Sequence, residues 1–175
     1  MHIEQAQADM RHAYFGGATG ITTSGLAWLA AALVGFLVSP RGAMAALFIG
    51  GMFIHPAAML LSKLLGRPGA HTPGNPLAPM ALETTVWLLL AIAVAFLASM
   101  QRVEFFFIAM LLTIGGRYFT FATLYGMKSY WICGATLAAA GFALAALGAE
   151  TPLIALSGGL LELGFAALVF AKSRS

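Results

Sequence analysis

Apolar residues gather along this chain in six long stretches: Gly20–Val38, Ala43–Leu64, Pro79–Met100, Glu104–Leu124, Tyr130–Leu147 and Pro152–Ala171. A helix of about 20 residues, rising 1.5 Å per residue, crosses roughly 30 Å of hydrocarbon. None of the stretches alternates apolar and polar positions with period two, which excludes a β-barrel. The pattern therefore predicts an all-α membrane fold of six transmembrane helices. Between them stand Ser39-Pro40-Arg41-Gly42, Gln101-Arg102, Gly126-Met127-Lys128 and Glu150-Thr151-Pro152, which carry turn chemistry. The shortest of these breaks force the helices they join to be antiparallel neighbours.

Two segments fall outside the apolar stretches. In residues 1–16, Ile3, Ala6, Met10 and Ala13 recur at helical spacing with Glu4, Gln5, Asp9 and Arg11 between them. That pattern predicts a short helix lying along the membrane surface, with a frayed polar tail as the alternative. Glu4 and Asp9 spoil the basic region that a signal peptide would need. The stretch 66–79, GRPGAHTPGNPLAP, is too rich in proline and glycine for a helix and reads as a linker. Asn75-Pro76 would need a second, membrane-buried copy to match the aquaporin signature, and none is present. The whole of 1–175 is then a single transmembrane bundle.

An internal repeat runs through the spans. IGGMF at Ile49–Phe53, IGGRYF at Ile114–Phe119 and SGGLLE at Ser157–Glu162 fall at similar depths in the second, fourth and sixth. The spans before them carry Trp28, Trp87 and Trp131. Three tandem helical hairpins, all entering from one side, are the expected arrangement. The hairpin GFLVSPRGAMAALFIGGMFIHPAAMLL, Gly35–Leu61, resembles those of the HdeD-type acid-resistance membrane proteins, which are six-helix hairpin arrays. The other two hairpins lack a proline at the matching place, and the resemblance transfers no functional residue. The chain as a whole also resembles the uncharacterised small bacterial multi-pass membrane families.

Composition strengthens the membrane assignment. Hydrophobic residues make up 61% of the chain and charged residues 9%, with a mean hydropathy of +0.90. A soluble domain carries about a quarter charged residues, so lipid must solvate most of this surface. The net charge of +3 is spread singly over the ends of the spans, which is no footprint for nucleic acid. Cys133, the single cysteine, excludes an internal disulfide and a Cys-rich metal site. No cofactor is expected.

The basic residues also orient the chain. Arg11, Lys63, Arg67, Lys128, Lys172 and Arg174 fall on one side; Arg41 and Arg102, joined by Glu104 and Glu150, fall on the other. Both termini are expected in the cytoplasm of a bacterial inner-membrane protein.

Ionisable groups inside hydrocarbon cost at least about 2.5–3.5 kcal/mol on insertion scales, so each needs a reason. Arg117 lies about eight residues, or ~12 Å, inside its helix end. With Thr113, Gly116 and Thr120 it forms a polar stripe that suits an interior face, and Tyr118 follows beside it. The stripe fits an anion clamp, or else a structural ion pair or a side chain reaching back to the interface. Glu83 is the expected partner of Arg117, from the preceding span. Glu162 sits midway along the last span on a face with Ala155, Gly158, Gly159 and Ala166. It is most cheaply carried there as the neutral acid, serving either proton coupling or a hydrogen bond across helices. His55, before Pro56 and with Gly51, Ala58 and Ser62 on its face, reads as an interior histidine, with a proton-responsive role as the alternative.

These residues point first to a small transporter or channel-like protein. Arg117, Glu83, Thr120 and Tyr118 would contact a small polar or anionic solute, and Glu162 and His55 would couple to protons. A non-catalytic structural or stress-related membrane protein is the alternative. An intramembrane lipid-modifying enzyme comes third, since no GxSxG, HExxH or ATP-binding loop occurs. Membrane lipids are the expected partners, and a homo-oligomer is compatible with everything above.

Overall fold

A computed structural model describes residues 1–174, with side chains through Ser173. Arg174, one of the basic residues used for orientation, has its side chain outside the described part. Helix α1 spans Ile3–Tyr14, and a tight 3-10 turn, Phe15–Gly17, leads into α2, Ala18–Leu37. Then follow α3 at Pro40–Leu64, α4 at Ala78–Ser99, α5 at Val103–Tyr125, α6 at Ser129–Ala146 and α7 at Thr151–Arg174. Among the described residues, six helices are long and apolar enough to cross a membrane.

Local chemistry sets the helix ends. At the start of α3, the Ser39 side chain accepts a hydrogen bond from the Gly42 N–H, and Pro40 occupies the first turn. At the end of α5, Gly126 adopts a left-handed conformation with φ of 63°, which stops the helix and lets Met127 N–H bond the Ala122 carbonyl.

The helices pack in two layers. In one, α2 lies between α3 and α7; in the other, α5 lies between α4 and α6. The two layers meet mainly where α7 touches α5 and α6. This differs from three hairpins in tandem. The partners α2–α3 and α4–α5 stay together, but α7 packs far more on α2 than on α6, its neighbour in sequence.

Glycine explains the choice. A Cβ added to Gly25 would lie 3.2 Å from the Gly159 carbonyl, and one on Gly159 would lie 3.1 Å from that of Gly25. The backbones of α2 and α7 can approach this closely only without side chains between them. Gly115 and Gly134 do the same for α5 and α6, at 2.8 and 2.5 Å. The repeated glycine pairs thus mark crossings, but the tryptophans ahead of them have no common environment. Trp28 is buried, whereas Trp87 and Trp131 are exposed.

Helix α1 is ordered and folds under the bundle as a cap. Its Ala6, Met10 and Ala13 are buried, as its helical spacing predicts. Its polar residues tie it to two other segments, the end of α5 and the 66–79 loop. The Gln7 amide donates to the Thr123 carbonyl at 2.7 Å, and Arg11 donates to the Tyr125 carbonyl at 2.6 Å. The Asp9 carboxylate accepts from Thr72 N–H, Thr72 Oγ1 and Asn75 Nδ2. Asn75 is buried, donates also to the Ala6 carbonyl, and accepts from Leu77 N–H. Residues 66–79 are therefore a docked loop rather than a slack linker: one asparagine satisfies backbone groups from both sides of the contact.

Candidate functional site

The deepest polar group lies on the seam between the two layers. Glu162, the twelfth residue of α7, has no exposed surface. The Ala155, Gly158, Gly159 and Ala166 face around it is likewise buried, so this side of α7 turns fully inward. From the other layer, the Tyr118 hydroxyl on α5 donates to Glu162 Oε1 at 2.5 Å. Ser24, buried on α2, approaches the same carboxyl but lacks the geometry of a full hydrogen bond. Among the described residues, Glu162 Oε2 has no hydrogen-bond partner.

Tyr118 is held by other aromatic rings. Its centroid lies 5.5 Å from Phe121 and 5.8 Å from Tyr130, and Tyr130 in turn stacks on Tyr125 at 5.5 Å. The Tyr130 hydroxyl donates to the Gly16 carbonyl at 2.6 Å. A rigid aromatic column thus links the seam to the turn beneath α2, and it fixes where the Tyr118 hydroxyl points.

Arg117 faces a different way. One guanidinium nitrogen donates to Thr85 Oγ1 on α4 at 3.1 Å, and the plane lies 5.1 Å from the Phe121 ring. Its Nε is buried without a partner. The expected Glu83–Arg117 ion pair does not form. Glu83 is exposed on the outer face of α4, about 200° around the helix from Thr85, and that turn decides which of the two reaches α5. Thr120 bonds back to the Arg117 carbonyl at 2.7 Å, so its hydroxyl serves its own helix.

The inward stripe of α5 is accordingly Phe107, Leu111, Gly115, Tyr118 and Tyr125, not Thr113, Gly116, Arg117 and Thr120; Gly116 is exposed. His55 also departs from expectation. It stands exposed on α3 with Gly51, while Ala58 and Ser62 turn inward. There the Ser62 hydroxyl meets Thr19 of α2 at 2.9 Å, and Thr23 reaches the Ile54 carbonyl at 3.2 Å.

Of the six candidate residues, the structure brings Tyr118 and Glu162 into contact and sets Arg117 within electrostatic range of Glu162. Glu83 and His55 stand apart from them. Sequence reasoning missed Ser24 and Thr85 as partners. Ser24 carries the signal that was available, a small polar residue one position before Gly25 at the α2–α7 crossing. Among the described residues, no group of three or more His, Cys, Asp or Glu could hold a metal ion.

Residues 3–172 match a family of unknown function, DUF7010. The chain belongs to that family. No curated protein and no solved structure matches it, so the likeness to HdeD-type proteins gains no support. The match covers α1 through most of α7, so the cap and the buried Glu162 both lie within what the DUF7010 family defines.

Proposed function

We propose that this multi-pass membrane protein is a small proton-coupled transporter for a small polar or anionic solute, seen closed. One observation carries the reading. The Tyr118–Glu162 hydrogen bond joins the two helical layers at mid-depth, and its carboxyl keeps one oxygen without a partner. A structural bundle gains nothing from an unpaired carboxyl oxygen at a close-packed crossing, since leaving a buried polar atom unsatisfied costs about 1–3 kcal/mol. A carrier needs such an atom, and alternating access as rocking of one layer against the other would open this seam first. Arg117, with its own unpaired Nε nearby, would attract an anion into the opened space. Tyr118 would release the carboxyl as the layers part. Glu83, Thr120 and His55 play no part in this mechanism, because they face away from the seam.

The full burial of Glu162 favours a second reading, a non-catalytic structural or stress-related membrane protein whose acid–tyrosine bond only fastens the layers. In either case we infer a bacterial inner-membrane setting with both termini cytoplasmic, because α1, the end of α3, the 66–79 loop, the α5–α6 turn and the end of α7 together carry six of the nine Lys and Arg residues.

Proteoliposomes enclosing a pH-sensitive dye distinguish the readings. A panel of small organic and inorganic anions should drive proton movement through the wild type. The movement should vanish in Glu162→Gln and persist in Glu83→Gln. Folded wild-type protein that moves no protons with any member of the panel would overturn transport in favour of the fastened bundle.

A further inference from the structure

Beneath the bundle, where α1, the 66–79 loop, the α5–α6 turn and the end of α7 converge, lies a cleft of ≈ 210 Å³ lined by Arg11, His12, Arg67, Met127, Lys172 and Ser173. We propose that it is a binding site for a phosphate-bearing anion, either the head group of an anionic phospholipid or free phosphate. This inference is independent of the transport reading.

Two guanidinium groups and a lysine amine converge on the cleft from three separate segments, and among the described residues no acidic side chain lines it. The two arginines are held ready. Arg11 is anchored through one nitrogen to the Tyr125 carbonyl at 2.6 Å, which leaves the rest of its planar fork for a ligand. The Arg67 guanidinium lies 5.0 Å above the Phe15 ring and contacts His12 Nδ1 at 2.5 Å. When Arg67 donates to that nitrogen, the proton of the neutral imidazole sits on Nε2, a further donor. Asp9 of α1 directs its carboxylate to Thr72 and Asn75 and forms no ion pair with Arg11 or Arg67.

Two of the lining residues, Met127 and Ser173, are packed closely over the turn at Gly16. Gly16 sits at φ +60°, and a Cβ there would lie 3.0 Å from Met127 Sδ and 3.2 Å from Ser173 Oγ. The volume equals that of several waters, enough for one phosphate group and part of its hydration. Planar guanidinium forks suit phosphate oxygens, and basic pockets between membrane helices at the cytoplasmic interface suit anionic head groups.

The test is thermal unfolding of the full chain in zwitterionic detergent, with phosphatidylglycerol, phosphatidylcholine or inorganic phosphate added at matched ionic strength. Stabilisation by phosphatidylglycerol alone assigns a lipid head group; stabilisation by inorganic phosphate as well assigns the phosphate itself. Arg67→Gln should weaken the effective probe about tenfold, the loss expected for one charge-assisted hydrogen bond, and Arg67→Lys should restore part of it. Lys172→Gln, on the far exposed wall, gives the same readout should Arg67→Gln fold poorly. Melting that no phosphate-bearing probe shifts, or a shift that survives both substitutions, would overturn the site.

Discussion

Helices α4 and α7 are equally apolar, each with a mean hydropathy of 2.1 over its best window, yet 11% of that window is buried in α4 and 39% in α7. Their difference lies in small and polar residues. α7 carries Gly158, Gly159 and Gly164 together with Glu162, and Gly159 meets Gly25 of α2 backbone to backbone. α4 contains no glycine, and its Glu83 and Trp87 point outward. In lipid the outer face of a bundle is as hydrophobic as the inner one, so hydropathy says that a helix spans but not where it stands. Close backbone approach and shared hydrogen bonds settle the position.

The largest effect expected from this contrast is on charge. Glu162→Lys places a longer cation against glycine and alanine at a fully buried crossing and should destabilise the bundle by at least about 3 kcal/mol, enough to prevent recovery of folded monodisperse protein. Glu83→Lys makes the same reversal on α4 near the helix end and should stay within about 0.5 kcal/mol of wild type. Size-exclusion profiles and unfolding in detergent compare them directly. Equal damage at both positions would mean that α4 is as enclosed as α7.

This contrast also explains what could be read from the chain. The span bounds were legible because hydropathy and turn residues are local: Glu104–Leu124 is predicted and α5 runs Val103–Tyr125. The rotation of each helix was not. Arg117 is more conspicuous than Tyr118, and grouping it with Thr113, Gly116 and Thr120 turned α5 by one residue. Phe107, Leu111 and Gly115, spaced like Tyr118, marked the true face, but apolar residues mark lipid-facing surfaces just as well. His55 failed for the same reason. The docked loop escaped notice because Asn75 meets Asp9 across more than sixty residues, and no local pattern encodes such a contact.

Packing comes next in size. Gly134→Leu would drive a side chain into α5, where even a Cβ lies 2.5 Å from the Gly115 carbonyl. Overpacking of this kind should lower unfolding stability by about 1–3 kcal/mol. Gly51→Leu lies on the outer face of α3, where an added Cβ meets nothing within 4 Å. It should be neutral or gain up to about 1 kcal/mol from helix propensity. A destabilised Gly51→Leu would show that the α3 surface is covered.

A single hydroxyl tests the seam more gently. Tyr118→Phe keeps the aromatic column but strips Glu162 of its one well-formed hydrogen bond. It should lower stability by about 1 kcal/mol or somewhat more. Thr120→Val, two residues along and bonded only to its own helix, should change it by less than about 0.5 kcal/mol. If the order reverses, the seam is not what joins the layers.

The smallest effect is expected at His55. It is exposed on α3, about nine residues from the helix end at Leu64, so a polar ring stands ~13 Å along the helix from that end with no well-packed neighbour to lose. His55→Leu should therefore leave stability in detergent within about 0.5 kcal/mol of wild type, because no buried contact is removed and no cavity opens. In lipid bilayers the same change should be neutral or favourable, since leucine replaces a group that hydrocarbon solvates poorly. The comparison of the two media is the informative part. A loss above about 1 kcal/mol in bilayers, absent in detergent, would mean that His55 is hydrogen-bonded to another copy of the chain that detergent strips away. The outer flank of α3 and α4 would then be an interface, and the contrast with α7 would be between burial within one chain and burial between two. Concentration-dependent cross-linking of wild type but not His55→Leu would establish that outcome; its absence leaves the flank facing lipid.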